Sequence, residues 1–250
     1  MTMHSLCAPA IAAAAILAGA VPVSAQPCPA PLDGARRLVL VTADGMNATA
    51  ARMELFERTA EDPAWRALAP PEPALIGKAG MGWSHFFRHL GRRGEPIKVD
   101  GDKRAPAGIY TIGRSFGTVP SRRPGHLHVT TDTICVDDPR SPAYNTITSR
   151  KLVGPAVHAE NMSRALPMYR RGLVVNYPTD AKARAGSCIF IHVWRSPTVG
   201  TAGCVSLPEP RVEALQDFAA DGAVLAILPR AALDRLGGCL PDAATAQRRH

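Results

Sequence analysis

The chain has 250 residues, 46% hydrophobic and 20% charged, with a formal net charge of +8 at pH 7. That is the balance of a soluble globular protein with a sizeable core. Aromatics at 5% against 23 prolines and 21 glycines argue against a helical bundle and for a turn-rich β or α+β protein.

Residues 1–25 read as an export signal. Ala8 to Val23 is apolar but broken by Pro9 and Pro22, too interrupted to span a bilayer. Val23-Ser24-Ala25 is a small-residue cleavage site, although no Lys or Arg precedes the apolar run. The expected compartment is the periplasm or cell envelope, and no later segment is apolar enough to cross a membrane. The signal segment carries no formal charge, so the whole +8 belongs to the mature protein. A basic exterior suits a polyanionic partner such as a cell-wall polymer. Nucleic acid is excluded by export and by the lack of an aromatic-interleaved basic run.

A single domain is expected over 26–235, with a tail over 236–250. Gln26 to Ala35 reads as an irregular leader. Arg37 to Thr42 is apolar and β-branched, a strand. Residues 48–60 have helix-forming character, ended by Asp62-Pro63. Ile76 to Met81 follows a proline loop as a glycine-rich strand. Asp100 to Gly108 is a tight loop leading into a strand over Ile109 to Ile112. Pro120 to Tyr144 suggests surface loops around one or two short strands. Leu173 to Tyr177, Ile189 to Trp194 and Cys204 to Leu207 are further strands. Pro208 and Pro210 open a helix through about Ala220, with Gly222 to stop it, and Ala223 to Leu228 returns as a strand.

Cleavage after Ala25 removes Cys7 and leaves five cysteines, an odd number. In an oxidising space an unpaired thiol is a liability unless it has a task. Cys28 and Cys239 flank the domain and are expected to pair. Cys135 and Cys188 form a second bridge or remain buried thiols. Cys204 is the one left over.

Phe190, His192 and Trp194 share one face of their strand, so an imidazole stands between two aromatics. Cys204 comes twelve residues later, after a loop ending in Gly203, which lets a carbonyl approach the backbone beside the thiol. A free thiol with pKa near ~8.5 is only slightly ionised at neutral pH, and an adjacent imidazole can take its proton. Cys204 is therefore the expected nucleophile, His192 its base, and the nearby amides an oxyanion hole.

The stretch from Gly186 to Cys204, with a histidine on a strand and then Thr201-Ala202-Gly203-Cys204, resembles the signature of the L,D-transpeptidase catalytic (YkuD) domain. Gly101-Asp102-Lys103-Arg104-Ala105-Pro106-Ala107-Gly108-Ile109-Tyr110 resembles that family's "GD..TP.G.Y" stretch, and Asp137 to Asn145 resembles a segment of its divergent branch. The resemblance covers roughly residues 38–230. It implies a mostly β fold, a β-sandwich or barrel-like core with a helix after the catalytic cysteine, and no metal or organic cofactor. It implies peptidoglycan stem peptides as donor and acceptor, crosslinked 3→3 or 1→3 through a thioester, and carbapenems as possible inhibitors. The carbonyl of Val193 is placed to orient His192. Ala202 and Ser206 depart from the family's common His and Arg/Asn, and the His-to-Cys spacing is shorter, so the acyl-binding surface is not fixed by the likeness.

Arg195, Trp194, Thr201, Ser206, Tyr144 and Asn145 are the candidate substrate-binding residues. His126 and His128, with His158 or Glu160, are a weak metal grouping, outweighed by ordinary surface histidines. Two other readings stand beside the transpeptidase: a hydrolase with the same Cys/His pair, and a non-catalytic cell-wall binding protein.

Overall fold

The computed structural model describes residues 27–165 and 167–241. The expected signal segment and residues 242–250 lie outside the described residues. Among those described, eight strands close into a barrel: β1 (Arg37–Ala43), β2 (Ala50–Glu57), β3 (Glu72–Leu75), β4 (Ala105–Gly117), β5 (Gly172–Val175), β6 (Phe190–Val193), β7 (Val205–Leu207) and β8 (Val224–Pro229). Neighbours run β1-β8-β4-β5-β6-β7-β3-β2, and β2 pairs back onto β1. Two contacts are parallel, β1 with β8 and β6 with β7. The rest are antiparallel.

The protein is mostly β with few helices, as its proline and glycine content suggests. β8 is buried at every position and β1 from Leu38 onward. Both read as continuous apolar runs rather than alternating ones because both of their faces are covered. A single core runs through Leu38, Leu40, Phe56, Ile109, Val205 and Ile227.

Three expectations need correction. Residues 48–60 are not helical: Ala50–Glu57 is β2, laddered onto β1 from Arg37↔Glu57 to Thr42↔Arg52. Its Ala, Met, Glu and Leu favour helix intrinsically, but Ala51, Met53 and Phe56 all enter the core, and that packing overrides propensity. Ile76 to Met81 is not one strand either. Gly77 and Gly80 bridge across a tight turn between β3 and a short strand at Met81–Trp83. A Cβ on Gly77 would stand 2.3 Å from the Lys103 carbonyl oxygen, so the turn needs glycine there. Finally, the strand expected over Ile109 to Ile112 is longer at both ends: Ala105–Gly117 is β4, so the expected loop gives way to strand at Ala105. Leu236, Cys239 and Leu240 are buried in the core.

The helix Glu209–Phe218 directly follows β7 and buries Val212 and Leu215. A second, antiparallel sheet of Ala159–Asn161, Thr133–Val136 and Ile147–Ser149 stands apart from the barrel. Between it and the barrel lies a separate apolar cluster that includes Phe116, Met162, Tyr169, Phe190 and Cys204. Cys28 is bonded to Cys239 and Cys135 to Cys188, while Cys204 is free. Among the described residues, no helix is long and apolar enough to cross a membrane.

Candidate active site

Cys204 and His192 are brought together by the parallel pair β6/β7, in which His192 lies opposite Ser206 and Ile191 opposite Val205. Cys204 stands just before β7, one step diagonal from His192 on the same face. Both side chains line one cleft of about 1110 Å³ between the barrel and the small sheet.

His192 is 4% exposed. Its Nδ1 donates to the Val193 carbonyl at 2.8 Å, which fixes the ring and assigns the lone pair to Nε2. Tyr169 presents its ring edge-on to the imidazole at 5.5 Å between centroids. Burial pushes the imidazole pKa down to about 4, partly offset by the Val193 bond. The Cys204 thiol accepts the Phe190 N–H at 3.4 Å and donates to the Cys188 carbonyl at 3.5 Å. Burial pushes its pKa up to about 12. The Glu160 carboxylate adds to that, while the Phe190 N–H and the Lys98 ammonium oppose it.

Cys204 and His192 are not hydrogen-bonded to each other here. The thiol is turned toward Phe190 and Cys188, and catalytic hydrogen bonds are often made only once substrate is present. The resting pair is thus a neutral thiol and a neutral imidazole.

The loop before Cys204 is held from inside. Thr201 Oγ1 donates to the Cys204 carbonyl at 2.7 Å and accepts the Gly203 N–H at 3.1 Å. Gly203 holds φ +150°, and a Cβ there would lie 3.0 Å from the Arg104 carbonyl oxygen. What crowds Gly203 is the chain's own Arg104 carbonyl, and the Gly203 N–H is donated to Thr201 Oγ1.

The other expected substrate contacts divide. Arg195 lines the cleft and is exposed. Ser206 lines it too, 1% exposed, with an Oγ that has no partner among the described residues. Thr201 reaches the cleft, but its hydroxyl is occupied in the loop. Trp194 does not line the cleft; its backbone N–H continues the ladder to the Leu207 carbonyl. Tyr144 is set back from it and donates to Asp100 at 2.9 Å. Asn145 is also outside it. At φ +61° it clamps the chain instead, donating to the Tyr177 carbonyl at 3.0 Å and accepting the Cys188 N–H at 2.8 Å.

The histidines do not converge. His126 meets Ser115 and His158 meets Asp137. Among the described residues, no three His, Cys, Asp or Glu side chains come together as metal ligands.

Three cleft residues were not visible as such in the sequence. Tyr169 packs on His192 and donates to both Glu160 oxygens, at 2.9 and 3.0 Å. Lys98 is buried, with Nζ on the Val99 carbonyl and 2.6 Å from Asp102 Oδ1. The Asp102 carboxylate also accepts the Val99 and Arg104 N–H groups, so it pins the loop that carries Lys98 to the cleft. The Gly-Asp pair was a usable signal for that loop. Nothing local marked Tyr169, and Glu160 stood out only as a weak metal candidate, because their meeting depends on how the small sheet packs.

No family model matches the chain, and no curated protein matches it. Among solved structures, the chain is similar to the helical cell shape determining protein Pgp2 from Campylobacter jejuni, at 17% identity and a TM-score of 0.39. The match covers 78% of this chain, which spans 48% of that protein's length.

Proposed function

We propose that the chain is an exported cysteine acyltransferase acting on peptidoglycan stem peptides. The observation that carries the proposal is the free thiol of Cys204, set in a large cleft one strand from an imidazole whose Nδ1 is committed to Val193. The two disulfides add support, since they suit an oxidising compartment in which a free cysteine needs a purpose.

In this mechanism His192 Nε2 takes the thiol proton as the Cys204 sulfur attacks the amide carbonyl. The C–N bond breaks, the leaving amine takes the proton back from the imidazolium, and a thioester remains. An incoming amine then attacks that carbonyl and the C–S bond breaks. His192 carries the proton from the amine to the departing thiolate. Whether the product is a 3→3 or a 1→3 crosslink depends on the acyl-binding surface, where Ala202 and Ser206 replace the common residues.

The test has two parts. A carbapenem should acylate the protein once, on Cys204, by intact-mass and peptide mapping, and Cys204→Ser should lose that adduct. An unchanged adduct in the variant refutes the assignment. Purified muropeptides should give crosslinked dimers; shortened monomers alone would make the protein a hydrolase.

A further inference from the structure

The cleft wall formed by the small sheet carries three acids, and two of them have cationic or ring partners within the chain. Asp138 is bidentate with Arg140, and Asp137 meets His158. Glu160 is different. It is half-buried on the Ala159–Asn161 strand, lines the cleft, and has the Tyr169 hydroxyl as its side-chain partner. It forms no ion pair among the described residues. A carboxylate offers about four acceptor positions, and one hydroxyl proton satisfies one of them. Carboxylates withdrawn from water are ordinarily paired with a cation.

Two short connections tie Glu160 to the reacting groups. Through Tyr169 it reaches the His192 ring. Through its strand partner Cys135 and the Cys135–Cys188 bridge it reaches the Cys188 carbonyl that holds the Cys204 thiol. The same cleft is also lined by Lys78, Lys98, Lys103 and Arg195. The thiol therefore shares its cleft with cationic groups, suited to a donor carboxylate, and with one carboxyl that has no cation partner among the described residues.

We infer that Glu160 is the receptor for the acceptor substrate's ammonium group, and that it makes the site a transferase rather than a hydrolase. This rests on the acyl-transfer reading above. The Glu160 carboxylate pairs with the incoming R–NH₃⁺ and takes one proton, leaving R–NH₂ beside the thioester and a neutral carboxylic acid that returns its proton to solvent. The amine then forms the C–N bond as the C–S bond breaks, with His192 passing the second amine proton to sulfur. The raised pKa of Glu160, caused first by burial and then by Asp137, fits a group that accepts a proton from an amine.

The experiment compares wild type with Glu160→Gln and Glu160→Asp in two assays: carbapenem acylation of Cys204 by intact mass, and the dimer-to-hydrolysed-monomer ratio from purified muropeptides. Glutamine still accepts from Tyr169 but cannot pair with an ammonium. Acylation by Glu160→Gln should be no slower than wild type, because the carboxylate opposes ionisation of the thiol. The dimer-to-monomer ratio should fall about 10- to 100-fold, the size of a charge-assisted hydrogen bond, with partial recovery in Glu160→Asp. An unchanged ratio overturns the inference. So does a parallel loss of acylation in both variants, which would assign the carboxyl to the fold or to the thiol. If wild type itself forms no Cys204 adduct, it is the acyl-transfer reading that fails.

Discussion

Burial decides the protonation state of the two central side chains, and that has consequences in two experiments. With the thiol near 12 and the imidazole near 4, the reactive form is neutral Cys204 beside neutral His192 throughout the ordinary pH range. A mechanism needing a preformed thiolate would speed up tenfold per pH unit below the thiol pKa; a base-assisted one would not. Carbapenem acylation should therefore be nearly flat between about pH 6 and 9, measured by time-resolved intact mass. A tenfold-per-unit climb would exclude His192 as base. His192→Ala should slow acylation by ~10²–10⁴. Stability provides the second test. The folded pKa of His192 lies below its ordinary value of 6.5, so below that pH the unfolded chain binds a proton the native protein refuses. Stability is thus lost as pH falls from 6.5 toward about 4, at up to about 1.4 kcal/mol per pH unit from this group. Urea unfolding at about pH 5 and 7 should show a smaller pH difference for His192→Asn than for wild type; an equal difference would contradict the burial argument.

At the level of elements, the cleft exists because the small sheet is fastened to the barrel beside Cys204. The Cys135–Cys188 bridge joins the Thr133–Val136 strand to the residue two places before β6, and Asn145 binds the Cys188 N–H from the same side. Cys188 itself holds φ +56°, a conformation that a non-glycine residue keeps only when its surroundings enforce it. Replacing both cysteines, Cys135→Ala with Cys188→Ala, should cost up to about 4 kcal/mol for a 53-residue separation. Acylation should suffer as well, because the Cys188 carbonyl no longer holds the thiol. A variant that loses stability yet acylates at the wild-type rate would separate the bridge from the site. The sequence made much of this legible. The strands at 37, 173, 189 and 223, the helix after Pro208 and the free Cys204 all follow from local pattern and cysteine parity. β2 did not, since Ala50–Glu57 has helical composition and becomes a strand only because β1 offers it a ladder. Glu160 and Tyr169 did not either. Their partnership with Cys204 and His192 comes from packing between two sheets, which no spacing along the chain encodes.

For the whole molecule, the decisive feature is that the barrel is closed by its first strands: β1 is held by β8 on one side and β2 on the other. Near that junction the two ends of the described residues are fastened. The Arg58 guanidinium donates to the Leu32 and Ala35 carbonyls and stacks 4.2 Å over Trp65, whose indole N–H donates to the Cys239 carbonyl. Cys28 and Cys239 close a separation of 211 residues. This bridge stands outside the cleft, since neither cysteine lines it. Its contribution should fall on the unfolded chain, whose freedom it restricts, rather than on the geometry of Cys204. Cys28→Ala with Cys239→Ala should therefore lower stability by up to about 5 kcal/mol, read as a fall in the urea midpoint with an increased m-value. Carbapenem acylation at low temperature should stay within about twofold of wild type, because distant and independent sites contribute additively. If acylation collapsed in this variant while the protein remained folded, the barrel closure and the cleft would have to be one mechanical unit, and the staple would not be separate from the site.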